Sequence, residues 1–143
     1  MDDKGTPLER FQAAHDAVFR LDLTGYPWWL HIEPVFRRED DGTVPAHWSY
    51  KITCGDPNAG SLQTREVAYN HVNNMIRTIS SRTWDKRLDR EGTAPSEWCQ
   101  RVCAGFLRDP ATVKFGLSEA DEVLQMIMFD GVQFGPFPSH HDA

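Results

Sequence analysis

Cysteine is scarce in this chain: three among 143 residues, an odd number that excludes a complete disulfide framework. Cys99 and Cys103 stand one helical turn apart, where a bridge would constrain almost nothing, so all three are expected to be buried thiols. No apolar run approaches the roughly 20 residues a membrane-spanning helix needs. The opening Met-Asp-Asp-Lys-Gly lacks the basic-then-apolar order of a secretion signal. The expectation is a soluble protein that stays in the cytoplasm, with no membrane contact. Phosphate-binding glycine motifs are missing too: no Gly-Lys-Ser/Thr closes a loop, and no three glycines fall at dinucleotide-binding spacing. There is no internal repeat and no low-complexity stretch long enough to be a linker. Positive charge is short as well, since 15 Lys and Arg against 21 Asp and Glu leave a net charge of −6. That balance disfavours direct nucleic-acid binding, which depends on basic surface to neutralise phosphates.

What is present is ordinary globular material, 40% hydrophobic and 25% charged, of a length that suits one domain over residues 1–143. The densest stretch runs from Tyr26 to Cys54 and holds three of the five tryptophans. Trp28, Leu30, Ile32 and Phe36 alternate with Trp29, His31, Glu33 and Arg37. After Asp40-Asp41-Gly42-Thr43, Trp48, Tyr50, Ile52 and Cys54 alternate with Ser49, Lys51 and Thr53. Period-two alternation around an Asp-Gly dipeptide predicts a long β-hairpin with one apolar face. Because a two-stranded ribbon is marginal alone, helices must cover that face.

Helix signals fill the rest. Thr6, Pro7 and Glu9 form a capping box for a helix to about Leu21, with Leu8, Phe11, His15, Val18 and Leu21 as its buried stripe. A lone His15 on such a stripe reads as a satisfied core side chain. Gly55 to Gly60 reads as a loop, and Ser61 as the opening of a second helix with Ala68, Val72, Met75 or Ile76, and Ile79 inward. Ser96 starts a third helix carrying Trp98, Cys99, Val102, Cys103, Phe106 and Leu107 on a broad apolar face. Thr112 to Phe115 reads as a short strand added to the hairpin. Residues 119–137 suit either a helix over Glu119 to Phe129 stopped at Gly131 or a hairpin turning at Asp130-Gly131, and the helix is preferred. The tail is expected to fray from about residue 138. The fold expected is therefore α+β: a small, mostly antiparallel sheet built on a central hairpin and packed by three or four helices.

Three sets of residues carry candidate chemistry. His31-x-Glu33, followed at a distance by Pro95, Cys99 and Cys103, resembles in its order the zinc deaminases, in which an imidazole and thiolates hold the metal and a glutamate moves protons. The spacing departs from that family: three residues rather than two separate the cysteines, and His31 falls in a strand, so the family is not assigned. The corresponding expectation is a small enzyme using His31 and Glu33 with a cysteine, Cys99 first, as a hydrolase or a deaminase-like zinc enzyme. A second set is the stretch from Arg77 to Arg90, the one basic region between two acidic ends. There Arg82, Lys86 and Arg87 surround Trp84, an aromatic anchor ringed by cations. The third is the Trp28-Trp29 pair, in which strict alternation turns one ring, Trp29, away from the core. No metal site and no cofactor are read from the sequence. The favoured expectation is a non-enzymatic protein of the inhibitor, immunity or phage-antagonist kind, acting stoichiometrically on a protein partner through Trp29, Arg82, Trp84, Lys86 and Arg87. A structural subunit of a larger assembly is the further alternative.

Overall fold

The computed structural model describes residues 7–56, 61–84, 86–110 and 112–134. In order, the elements are α1 (Pro7–Phe19), a 3-10 turn (Leu23–Gly25), β1 (Trp29–Pro34), β2 (Ser49–Asp56), β3 (Ser61–Ala68), α2 (Tyr69–Ser81), α3 (Arg87–Glu91), α4 (Glu97–Arg108) and α5 (Leu117–Phe129). The strands form one antiparallel sheet in the order β1-β2-β3. The helices pack on one of its faces, giving an α+β fold. Among the described residues no helix is long and apolar enough to cross a membrane.

The two arms of the expected hairpin pair as β1 and β2, with Ile32 opposite Ile52 and Glu33 opposite Lys51. Asp41-Gly42 does make a tight turn: Gly42 has φ +87°, and its N–H donates to the Glu39 carbonyl at 2.9 Å. The turn, however, is the tip of a long loop between the strands rather than the whole connection. That loop is pinned to α1. The Val44 N–H donates to Gln12 Oε1 at 2.8 Å, and Trp48 Nε1–H donates to the Phe11 carbonyl at 2.9 Å.

Register breaks once in β1. Trp29 pairs with Cys54 and His31 with Thr53, so Leu30 is an extra residue, a β-bulge. The bulge reverses the expected facing: Trp29 joins Ile32 on the inner side, and Leu30, expected in the core, is 38% exposed.

Two further expectations are corrected. Residues 61–68 are not the start of a helix but an edge strand paired along its length with β2. Leu62 to Glu66 are all exposed, so the strand has no buried alternation to announce it, and its Leu, Gln, Arg, Glu and Ala favour helices on composition alone. Residues 112–115 make no strand: Val113 packs beside Gly105 of α4 and Phe115 meets Phe106, which hold the segment against the helices instead of the sheet.

The helices meet expectation more closely. Ser96 caps α4, its hydroxyl accepting from the Cys99 N–H at 3.1 Å. Residues 117–129 are helical, with Asp130 at φ +62° taking the left-handed stop expected at Gly131. Trp98 is the exception on α4: it lies one residue off the stripe made by Cys99, Cys103 and Phe106 and is 51% exposed. Thr6 and the tail beyond residue 134 lie outside the described residues.

The centre of the molecule is α5. Every residue from Glu119 to Met128 is buried, and the helix packs against α1, α2, α4 and the 3-10 turn. A helix enclosed all round is normally apolar, yet this one carries Glu119, Asp121, Glu122 and Gln125. Each is hydrogen-bonded, which is the condition for burying them. Glu119 accepts from the Gly116 N–H at 2.7 Å, and Glu122 accepts from the Ser96 N–H and hydroxyl at 2.7 and 2.9 Å. At the other end of α5, Arg65 and Gln63 reach from β3 and donate to the carbonyls of Ile127 and Met128 at 2.8 and 3.1 Å. These bonds satisfy carbonyls that have no partner within the helix, and the Arg65 charge opposes the negative end of its dipole.

Candidate binding cleft

His31 and Glu33 project from the solvent side of the sheet, their side chains 3.1 Å apart and both more than half exposed. Cys99 is sealed on the opposite side, where its Sγ–H lies 3.8 Å from the Glu119 carbonyl. The sheet thus stands between the three groups of the expected enzyme site, and they are not brought together. Among the described residues, no three His, Cys, Asp or Glu side chains converge as a metal site would require. The neighbouring Cys103, burial, and the charges of Glu122 and Glu119 push the Cys99 thiol well above the ordinary range. Burial also raises Cys54, to about 11. Such thiols carry little thiolate at neutral pH, and thiolate is the nucleophile.

Trp29 is not the exposed anchor expected. Both rings of the Trp28-Trp29 pair are buried, at 7% and 2% exposure. Trp28 Nε1–H and Trp29 Nε1–H both donate to Asp121 Oδ1, at 2.8 and 2.6 Å. Gln125 Nε2 donates to Asp121 Oδ2 at 2.9 Å and fixes the carboxyl from the next turn. One carboxyl on the central helix therefore draws two adjacent indoles inward, and the bulge at Leu30 is how β1 accommodates both.

In the basic stretch, α2 ends at Ser81 with Arg82 in the left-handed conformation, φ +57°. Trp84 turns inward to 8% exposure instead of standing out among the cations. It supports Arg82, whose guanidinium carbon lies 5.6 Å from the ring centroid, a cation-π distance. Arg82, Lys86 and Arg87 themselves are exposed. Arg87 pairs with Glu91 at 3.5 Å, a surface contact of small energetic weight.

Among the described residues a concave site lies elsewhere, between α1, α2, α4 and the segment after α4. Phe11 meets Tyr69 edge-on, with centroids 4.5 Å apart, and holds α1 to α2. Beyond Pro110 the segment packs against α4 at Gly105, where a Cβ would stand 3.1 Å from Val113 Cγ2 and push that side chain by a few tenths of an ångström. Arg20 Nη2 then donates to the Phe115 carbonyl at 3.3 Å and ties the end of α1 to this segment. Two adjoining hollows result, of about 270 and 220 Å³, sharing Ala13, Phe106 and Pro110 as a common floor. Asp16, Arg20 and Lys114 flank the larger; Arg10 and Arg77 flank the smaller.

Four cations and one carboxylate therefore line a cleft in a protein of net charge −6. Burial opposes ionisation of Asp16, but hydrogen bonds from His15 and Gln12 and the charge of Arg20 outweigh it and hold the carboxyl below its ordinary pKa. Because a carboxylate only accepts, His15 Nδ1–H donates to Asp16 at 2.9 Å, and Nε2 lies 2.7 Å from the Tyr50 hydroxyl, which can serve it as donor or acceptor. The histidine is satisfied in the core, as its place on the stripe suggested. Arg77 and Lys114 have no side-chain ion pair or hydrogen bond among the described residues.

No family model, curated protein or solved structure matches the chain. Its function must be argued from this geometry. Little of the cleft was legible in the sequence: Arg10 lies on α1, Arg20 just past its end, Arg77 on α2 and Lys114 in the segment after α4, and no short window gathers them. Only Arg77 falls in the basic stretch that the charge pattern singles out, and that pattern points to residues 82–87 rather than to the cleft.

Proposed function

We propose that this chain is a non-catalytic binding protein that associates stoichiometrically with a macromolecular partner, in the manner of an inhibitor or immunity protein, within the cytoplasm. The observation that carries the reading is the ring of Arg10, Arg20, Arg77 and Lys114 around an apolar-floored cleft. Like charges gathered in a concave site repel one another and weaken the folded state, and their field is recovered as attraction when an opposite charge docks. Arg77 and Lys114, with no side-chain partner among the described residues, are available for that contact. Arg82, Lys86 and Arg87, exposed beyond the end of α2, do not line the cleft. Trp29 and Trp84 are buried and are not contacts in this reading.

The test is affinity capture from the native host extract, followed by measurement of the reconstituted complex mass in solution. The reading predicts a partner held in fixed molar ratio and released by salt, as contacts between exposed charges are screened. Recovery of the chain only in assemblies of itself would favour a structural subunit and contradict the reading. So would a captured protein that is chemically altered over time.

A further inference from the structure

We infer that the cleft between α1, α2, α4, Pro110 and residues 113–115 receives an acidic, extended segment of a protein partner, seating an apolar side chain on Phe106 and carboxylates against the flanking cations; this rests on the binding reading above and names its site and chemistry. Size is the first argument. Sites for small molecules usually enclose about 300–1,000 Å³. Here the space is divided into two hollows of about 270 and 220 Å³ that meet over Ala13, Phe106 and Pro110. Two hollows that meet on shared residues offer successive subsites to the side chains of a chain laid across them.

Charge is the second argument. Arg20 and Lys114 stand on one side, Arg10 and Arg77 on the other. The occupant must therefore present negative charge at both ends of an apolar contact. Polarity within the cleft distinguishes a peptide from a phosphate backbone. Asp16, held by Gln12 at 3.1 Å and by His15 at 2.9 Å, puts a carboxylate in the larger hollow. A polyphosphate would meet that carboxylate as a like charge, whereas a peptide brings backbone N–H donors for it. Asn73 in the smaller hollow can both donate and accept, which again suits a peptide backbone.

The experiment is fluorescence-anisotropy titration of the full chain at low salt with a labelled peptide of alternating Glu and Leu. Two comparison probes are its Lys-for-Glu counterpart and a single-stranded oligonucleotide of equal length. The inference predicts binding of the Glu peptide alone, weakened by about tenfold or more in the double variant Arg77→Glu/Lys114→Glu, in line with the cost of placing like charges opposite each other. Both substituted residues are exposed, and circular dichroism checks that the variant is folded. The triple variant Arg82→Glu/Lys86→Glu/Arg87→Glu should bind the peptide as the parent does. Peptide binding unchanged in the double variant, or lost equally in the triple variant, overturns the cleft assignment, as does preference for the oligonucleotide or absence of peptide binding. The two readings fail separately. A captured host partner that the double variant still holds leaves the stoichiometric reading standing and removes the cleft, whereas peptide binding in the cleft without any captured partner does the reverse.

Discussion

Asp121 explains the least expected feature of the sheet. By accepting from Trp28 and Trp29 within the core, it makes the inward turn of both rings favourable where strict alternation would expose one. Removing it strands two buried N–H groups at about 1–3 kcal/mol each, so Asp121→Ala should cost roughly 3 kcal/mol or more. Asp121→Asn, which keeps an acceptor oxygen, should cost less. Urea unfolding followed by tryptophan fluorescence measures both, and equal stability of Asp121→Ala and parent would contradict the role. The bulge supplies a second contrast. Ile52 is fully buried and Leu30 is 38% exposed. Ile52→Ala should therefore cost about 2–5 kcal/mol, and Leu30→Ala about 1 kcal/mol or less. The reverse order would restore the unbroken alternation. The sequence could not show this bulge, because Leu30 is as apolar as the residues it displaces and the carboxyl that draws Trp29 inward lies 92 residues from it in the chain.

Buried acids, Tyr26 and Cys54 among them, erode stability at alkaline pH. Burial, with the charges of Asp121, Glu119 and Glu122, raises Tyr26 to about 12 from an ordinary 10.0, and burial raises Cys54 to about 11 from 9.0. Both groups hold their protons longer folded than unfolded, so their contribution is complete below pH 9 and is lost as pH climbs from 9 to 12. Thermal melts should show that decline, and Tyr26→Phe with Cys54→Ala should flatten it. An equally steep decline in the double variant would place the alkaline loss elsewhere.

At the scale of elements, periodicity revealed what was half-buried and missed what was not. The β1 and β2 arms, α1 and α4 each pair an apolar stripe with a polar face, and each was legible. β3 was not, because its inner positions are Gln63, Arg65 and Val67, and two of these reach past the sheet to the end of α5. Its strand state comes from the ladder with β2, not from its own residues. A consequence is that Arg65 stabilises a helix it does not belong to. Arg65→Ala should lower stability by about 1–2 kcal/mol, as expected for a hydrogen bond from a charged donor at a helix C-terminus. Faster hydrogen exchange should appear in the last turn of α5. Unchanged exchange there would show that the Ile127 carbonyl does not depend on Arg65.

At the scale of the molecule, the fold class followed from pattern, but the site did not, because it is made by bringing distant helices together. Trp84 and Trp29 were conspicuous in the sequence and prove to be internal supports, while the cations of the cleft were individually unremarkable. The acidic surplus of the chain makes the local reversal of sign the central functional claim. It is tested most directly by isothermal titration of the reconstituted partner complex across a salt series, comparing the parent with Arg77→Glu/Lys114→Glu. The account predicts affinity that falls steeply with salt in the parent, and binding weakened by about tenfold or more, with a flatter salt dependence, in the double variant. Equal affinity and equal salt dependence in the two proteins would contradict it.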